Sequence, residues 1–468
     1  MTMGSQVQRG PGKWRWETLE NITADGSPIL YGILQPGPDM PEGIPYVRPT
    51  EIVGDVIKLS SIRRTTPTIA GKYKRSVLKT DDIILSIVGT IGKVAVVPPD
   101  LDGGNITQSS VRIRPRSDVV LPRYVAWALR SPVLRRQFDK YRLGTAVPRL
   151  NVAHVRALRV PVPTLQEQGR IVAEIEKQFT WLEAGISALR RVQANLKRYR
   201  AAVLKAACEG RLVPTEAELA KSENRKFETG EELLARILAE RRVNWRGRGK
   251  YKEPSPPDST NLPPLPEGWA WATVDSLIRE TLRNGHSAKA TGTESGLRVF
   301  TLSAVTEGDF SERNTKLSVA TPEKVEDLWA EPGDIYVERS NTPELVGIAR
   351  LYKGPPRFAF IPDLFIRVRV ASQVSERYAE MCLLSERGRT FFRSRAQGIS
   401  GTMPKIDQET VELAPIPLPP TAEQTRIVAE VERRMSVLEE LEALVSANLQ
   451  RATRLRQSIL NTAFSRGV

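Results

Sequence analysis

PRLNVAHVRALRVPVPTLQEQGRIVAEIE, residues 148–176, returns 256 positions later as PKIDQETVELAPIPLPPTAEQTRIVAEVE, residues 404–432. The offset is constant throughout, with no gap in the alignment. Pro148, Val155, Pro161, Pro163, Glu167, Gln168, Arg170, Ile171, Val172, Ala173, Glu174 and Glu176 all recur unchanged. A match of this length marks an internal duplication. The pieces VPVPT and PIPLPPT cannot lie inside a helix, because proline removes a donor and restricts its neighbour. They read as strands or extended arms. Thr164 with Glu167, and Thr421 with Gln424, then fit a helix-capping box. A seven-residue apolar beat follows each arm. It runs Ile175, Leu182, Leu189, Leu196, Val203 in the first copy, flanked by Val172, Phe179 and Ile186. In the second it runs Val431, Leu438, Val445, Ala452, Ile459, flanked by Met435, Leu441, Leu449 and Leu455. That spacing predicts two coiled-coil helices of about 40 residues, or about 60 Å each.

Outward from each arm lies a globular stretch. Residues 14–143 hold VLKTDDIILSIVGTIGKVAVV, with β-branched runs and turn glycines, then the helical pattern LPRYVAWALRSPVLRRQFDKY. Residues 266–400 repeat that order, with AEPGDIYVERSNTPELVGIARLY before SERYAEMCLLSERGRTFFRSRA. Each opens on a tryptophan pair, Trp14/Trp16 and Trp269/Trp271. The expected division is a first module at 1–147, an arm and long helix at 148–210, a linker with a short charged helix at 211–265, a second module at 266–403, and a second arm and helix at 404–468. The fold class is α+β.

Composition narrows the function. The 468 residues carry 69 Lys+Arg and 54 Asp+Glu, a net charge of +15. The excess is uneven: residues 1–144 hold 21 basic and 13 acidic residues, whereas residues 266–402 hold 18 of each. A basic chain suggests a polyanionic partner. The linker cluster Arg241, Arg242, Arg246, Arg248, Lys250 and Lys252 suits phosphate or plain solvent. Cys208, Cys382, His154 and His286 are the whole thiol and imidazole stock, too few for a zinc or iron–sulfur cage. No metal site is expected. No run of 18 apolar residues predicts a membrane span, and MTMGSQVQRGPGKWRW lacks an apolar signal core. Gly89-Thr90-Ile91-Gly92-Lys93 resembles the tail of a phosphate loop but is followed by Val94, not the Ser/Thr that holds Mg²⁺. No catalytic constellation appears, and Glu174/Glu176 and Glu430/Glu432 read as solvated helix surface.

The doubled pattern resembles the specificity subunit of type I restriction-modification systems, which carries two target recognition domains. The residues that carry the likeness are Gly144, Thr145, Pro148, Leu150, Pro161, Pro163, Glu167, Gln168, Arg170 and Ile171. Their second copies are Gly401, Thr402, Pro404, Ile406, Pro417, Pro419, Glu423, Gln424, Arg426 and Ile427. The resemblance implies two α/β recognition domains separated by two long helices that form an antiparallel coiled coil with pseudo-two-fold repeat. It implies a cytoplasmic, non-catalytic protein that binds double-stranded DNA and reads one half of a bipartite target with each domain. Two methyltransferase (modification) subunits carrying S-adenosylmethionine and two motor-nuclease (restriction) subunits using ATP and Mg would join it, with no cofactor in this chain. The alternative is a non-enzymatic coiled-coil DNA-binding or anti-restriction scaffold without modification partners. Base reading needs Arg or Lys for guanine and Asn or Gln for adenine. The candidates are Arg63, Arg64, Lys72, Lys74, Lys93, Asn105, Gln108, Thr145 and Arg149 in the first module. In the second they are Arg283, Asn284, Lys289, Arg339, Asn341, Gln397, Thr402 and Lys405.

Overall fold

The computed structural model describes residues 14–144, 147–244, 250–287, 296–398 and 403–465. The chain divides into two compact units, one of residues 1–191 with 445–468, the other of residues 192–444. Each long helix therefore contributes to both.

In the first unit the proline-rich arm is the strand Arg159–Val162, antiparallel to Arg15–Thr18, with Trp16 opposite Pro161. An antiparallel sheet of Leu30–Tyr31, Ser110–Ile113, Ile83–Ser86 and Val94–Val96, in that spatial order, forms the module's centre. The strands Ile83–Ser86 and Ser110–Ile113 are buried along their whole length, the polar Ser86, Ser110 and Arg112 included. Helices Pro122–Arg130 and Pro132–Tyr141 follow, joined at Ser131, whose Oγ accepts from the Leu134 N–H to start the second. The core takes in Ile175 and Phe179 of the first long helix, Leu165–Cys208, and Leu460 and Phe464 of the second, Thr421–Ser465. Arg456 lies 2.9 Å from Glu183 and 4.9 Å above the Phe179 ring. Arg136 reaches Asn461. The early part of one helix thus meets the late part of the other, an antiparallel pairing.

The second unit repeats the scheme. Ala270–Thr273 pairs with the arm strand Pro415–Leu418, with Trp271 opposite Pro417. Its sheet runs Arg283–Asn284, Phe365–Val368, Ile335–Glu338, Ala349–Leu351. Helices Glu376–Leu384 and Glu386–Arg395 are joined at Ser385, which caps the second of them. Arg200 of the first long helix pairs with Glu442 of the second at 3.1 Å, again antiparallel.

Two duplicated contacts tie arm to module. Tyr124 Oη donates to the Pro161 carbonyl at 2.7 Å, and Tyr378 Oη to the Pro417 carbonyl at 2.8 Å. Gln168 accepts from the Leu121 N–H and donates to the Pro163 carbonyl. Gln424 accepts from the Ser375 N–H at 2.9 Å and donates to the Pro419 carbonyl at 3.0 Å. Both amides are buried, so each closes the start of a module helix onto the start of a long helix. Gln424→Ala would leave the Ser375 donor without its acceptor. It is expected to lower the stability of the second unit by about 1–3 kcal/mol, read by denaturant unfolding.

The structure corrects two details. Thr164 caps the first long helix, accepting from the Glu167 N–H. Thr421 is already the first residue of the second long helix, and Pro420 fills the capping position, its carbonyl accepting from Gln424. The seam residues Ile175, Leu196, Val203, Val431, Leu438 and Val445 are buried, with Leu182, Leu189 and Ile459 half-buried. Leu441 and Leu455, however, are exposed. They follow a seam residue by three positions, whereas the buried Met435 follows one by four, and a helix places those two steps on opposite flanks. The glutamates read as solvated helix surface include surface ion pairs: Glu176 with Arg123, Glu432 with Arg377, and Glu430 with Arg433 and Arg434. Among the described residues no helix is long and apolar enough to cross a membrane.

Candidate nucleic-acid interface

In the first unit the chain leaves strand Ile83–Ser86 and turns through Gly89 and Gly92, both at positive φ. Ser86 Oγ donates to the Thr90 carbonyl and accepts from the Lys93 N–H at 2.8 Å, closing the turn. The phosphate-loop lookalike is this turn. The chain on either side of Gly144 arrives beside it. Leu143 and Arg149 exchange both backbone hydrogen bonds, at 3.0 and 2.9 Å. The Gly89 N–H donates to the Pro148 carbonyl at 2.9 Å, and the Leu150 N–H to that of Ile87 at 2.8 Å. Gly144 has φ +81°, and a Cβ there would stand 2.9 Å from the Val147 carbonyl oxygen, so a larger residue would strain the hairpin. Arg142, Leu143, Val147 and Arg149 are exposed on it.

The second unit builds the same junction from other residues. Gln397 and Lys405 exchange backbone bonds at 2.8 Å, and the Ile406 N–H donates to the Arg339 carbonyl at 2.9 Å. Ser340 bridges Lys405 as Val88 bridges Arg149. Beneath it, the Glu338 carboxylate accepts from Thr306 Oγ1 and Asn341 Nδ2, each at 2.6 Å. Burial pushes that carboxyl above its ordinary range. Arg389 and Arg393 both donate to the Glu344 carbonyl, at 2.8 and 2.9 Å, and pin the adjoining loop. Burial lowers the Arg389 guanidinium to about 10, so it remains charged at neutral pH.

The candidate base-reading residues separate by their surroundings. Gln108 and Arg149 are exposed near one junction; Arg339 (half-buried), Gln397 and Lys405 gather at the other. Arg63, Lys72 and Lys74 are exposed elsewhere in the first module, and Arg64 is exposed with one guanidinium nitrogen on the Gly43 carbonyl. Arg283 is engaged by Asp327, and the Asn284 amide oxygen accepts from Gln408. Three candidates serve the scaffold. Lys93 Nζ donates to the Pro49 and Ile52 carbonyls at 2.8 and 3.0 Å. Asn105 is wholly buried on Ser76 and Tyr73, and Asn341 is buried on Glu338. Thr145, Lys289 and Thr402 lie outside the described residues. Arg142, exposed at the start of the first hairpin, was not among the candidates; its position one residue before the Leu143–Gly144 turn was the available signal.

Among the described residues no group of three or more His, Cys, Asp or Glu could hold a metal. His154 is stacked on Tyr141, with ring centroids 4.9 Å apart. Cys208 and Cys382 are free thiols with Sγ atoms 3.6 Å apart, and burial raises the Cys382 thiol well above its ordinary value. The fold and its exposed hairpins define a duplicated binding scaffold with two unlike tips.

Comparison with known proteins finds likenesses to that scaffold. Residues 38–188 match the type I restriction modification DNA specificity domain. The chain is 29% identical over 247 residues to the type I restriction enzyme EcoBI specificity subunit of Escherichia coli, covering 52% of this chain and 51% of that one. It is 23% identical over 354 residues to the EcoKI specificity subunit of Escherichia coli strain K12, covering 75% and 66%. In fold it is similar to a solved chain described under assembly and conformational transition of the type I R-M system, with TM-score 0.62 and 21% identity across 98% of this chain and 99% of that one. The chain spans about half the length of the first curated relatives it matches. Over part of its length it is thus similar to type I restriction-modification specificity subunits.

Proposed function

We propose that the chain is the DNA-reading subunit of a type I restriction-modification complex. Each module reads one half of a bipartite duplex target, and the pair directs adenine methylation or cleavage performed by partner subunits. Two modification subunits would bring S-adenosylmethionine, and two motor-nuclease subunits would bring ATP and Mg. The observation that carries this reading is the repeated junction. One duplicated arm presents a hairpin at the end of a core strand in both units, yet the residues displayed differ: Arg149 with Leu143 in one, Lys405 with Gln397 in the other. A common mount with unlike tips suits two different half-sites. Cations and amides there match the acceptors and donors of base edges in the major groove.

The test is single-molecule sequencing of host DNA for modified adenine, with and without the gene. A bipartite motif that disappears with the gene supports the reading; an unchanged pattern overturns it. Arg149→Ala is expected to relax one half-site and leave the other strict, with Lys405→Ala doing the converse. Each loss of discrimination should be about 1–3 kcal/mol at one base pair. If either substitution blurs both halves equally, the assignment of one half per module fails.

The second module is electrically neutral by sequence, so partners are expected to supply much of the phosphate contact. The isolated chain should bind duplex weakly, its affinity falling steeply with salt as counterions are released. Gel-shift titration across a salt series checks this, and tight salt-insensitive binding would refute it.

A further inference from the structure

The two cysteines of this sequence, 174 residues apart along the chain, stand side by side in the second unit. Cys208 ends the first long helix and is half-buried; Cys382 is buried in the helix Glu376–Leu384; their Sγ atoms are 3.6 Å apart. The first unit shows what the fold asks of these positions. Cys208 recurs 256 residues on as Phe464, and Cys382 lies 254 residues after Ala128. Phe464 and Ala128 are wholly buried members of one apolar core, with the Phe464 ring against Tyr124. In the second unit Tyr378 stands where Tyr124 does, but two thiols take the place of the ring and the methyl. Both cysteines also belong to the wall of a cavity of about 790 Å³ that opens to solvent, together with Lys205, Trp271, Ser385 and Arg387. Packing alone needs no sulfur at these positions, as the first unit shows, and does not require the pair to border an open cavity.

We propose that Cys208 and Cys382 are a redox modification site: a small-molecule disulfide entering the cavity oxidises them to an intramolecular disulfide, which clasps the end of the first long helix to the second module. The Cys208 thiolate, the more exposed, attacks one sulfur of the incoming disulfide and expels one small thiolate. The Cys382 thiolate then attacks the Cys208 sulfur and expels the other. The two S–H protons leave the protein and end on the two expelled thiolates, so two cysteines are oxidised while one small disulfide is reduced to two thiols. Sulfurs 3.6 Å apart need approach by only about 1.5 Å more to bond. Cys208 is the last residue of its helix, where the backbone yields most readily. Burial holds the Cys382 thiol well above its ordinary range, so the resolving attack is the slower of the two.

The test equilibrates the full-length protein with reduced and oxidised glutathione at a series of ratios, quenches it in acid and digests it with trypsin. Mass spectrometry should find AACEGR, residues 206–211, joined to YAEMCLLSER, residues 378–387, and dithiothreitol should release both. In Cys382→Ser the half-buried Cys208 should accumulate instead as a mixed disulfide with glutathione, because nothing resolves it. In Cys208→Ser the buried Cys382 should stay unmodified. The loop that the bond closes is long, so the two thiols rarely meet in the unfolded chain. The equilibrium constant for closure, read from the glutathione ratio at half-oxidation, should be at least about tenfold larger for the folded protein than for the chain in concentrated urea. A smaller ratio overturns the proposal. So does a parent protein in which Cys208 stops at the mixed disulfide, in which neither thiol reacts, or in which the bond joins two chains on a non-reducing gel.

Discussion

Phe464→Ala is expected to destabilise the first unit by about 3–5 kcal/mol, the usual cost of emptying a buried phenylalanine site, although the residue lies more than 300 positions from the module it supports. Phe464 is wholly buried, with its ring 5.3 Å from that of Tyr124. Tyr124 is itself buried and holds the arm through the Pro161 carbonyl, so the cavity would open beneath a contact that fixes arm to module. Trp127, edge-on to Phe179 at 5.0 Å, and Ile175 share the same core. That core cannot collapse easily, because its walls come from a sheet, a helix pair and two long helices. Hydrogen exchange separates the units: protection should fall in strands Ile83–Ser86 and Ser110–Ile113 and persist in Ile335–Glu338 and Phe365–Val368. Equal loss in both pairs of strands, or loss in neither, would show that the C-terminal turn of the long helix is not part of the first unit's core.

The duplication made most of this architecture legible. Ungapped identity at 256 residues, a seven-residue beat and proline-rich arms are local signals, and each maps onto a strand or helix that the structure contains. The contacts that join those elements were harder to see. Arg123, Tyr124, Ser131 and Phe138 recur as Arg377, Tyr378, Ser385 and Phe392, but at an offset of 254 rather than 256, so the module repeat is hidden by a two-residue shift. Gln168 and Gln424 were visible as repeats, and Gln424 alone of the two was read as a capping partner; their actual work, closing a buried backbone donor across the module, depends on tertiary placement. Among the candidate base readers, residue type could not distinguish Asn105, buried on Ser76, from Gln108 three positions later, exposed beside the junction. Chain periodicity fixes elements, whereas the surroundings of a polar side chain come from segments far away in sequence.

Removing one matched heptad from the helix pair should shorten the gap between the two half-sites while leaving their letters unchanged. The contact of Arg456 with Glu183 sets the antiparallel register in the first unit, so residues 183–189 lie across from residues 450–456. Excising both segments keeps the seam continuous: Leu182 then precedes Leu196 by seven positions, and Val445 precedes Ile459 by seven. Seven residues are about 10 Å of helix at 1.5 Å each, close to three base pairs at about 3.4 Å. Rotation is the opposing term. Seven residues are nearly two helical turns, so the remaining faces shift by only about 20°. Three base pairs turn the duplex by about 100° at roughly 10.5 base pairs per turn. The DNA must twist or the modules must lean to follow, and that deformation should reduce methylation at the contracted sites relative to the parent. Genome-wide mapping of modified adenines reads both quantities. A contracted gap, unchanged half-sites and lower occupancy are the expected result. An unchanged gap would mean that helix length does not set the spacing, and altered half-site letters would mean that the helices take part in reading sequence.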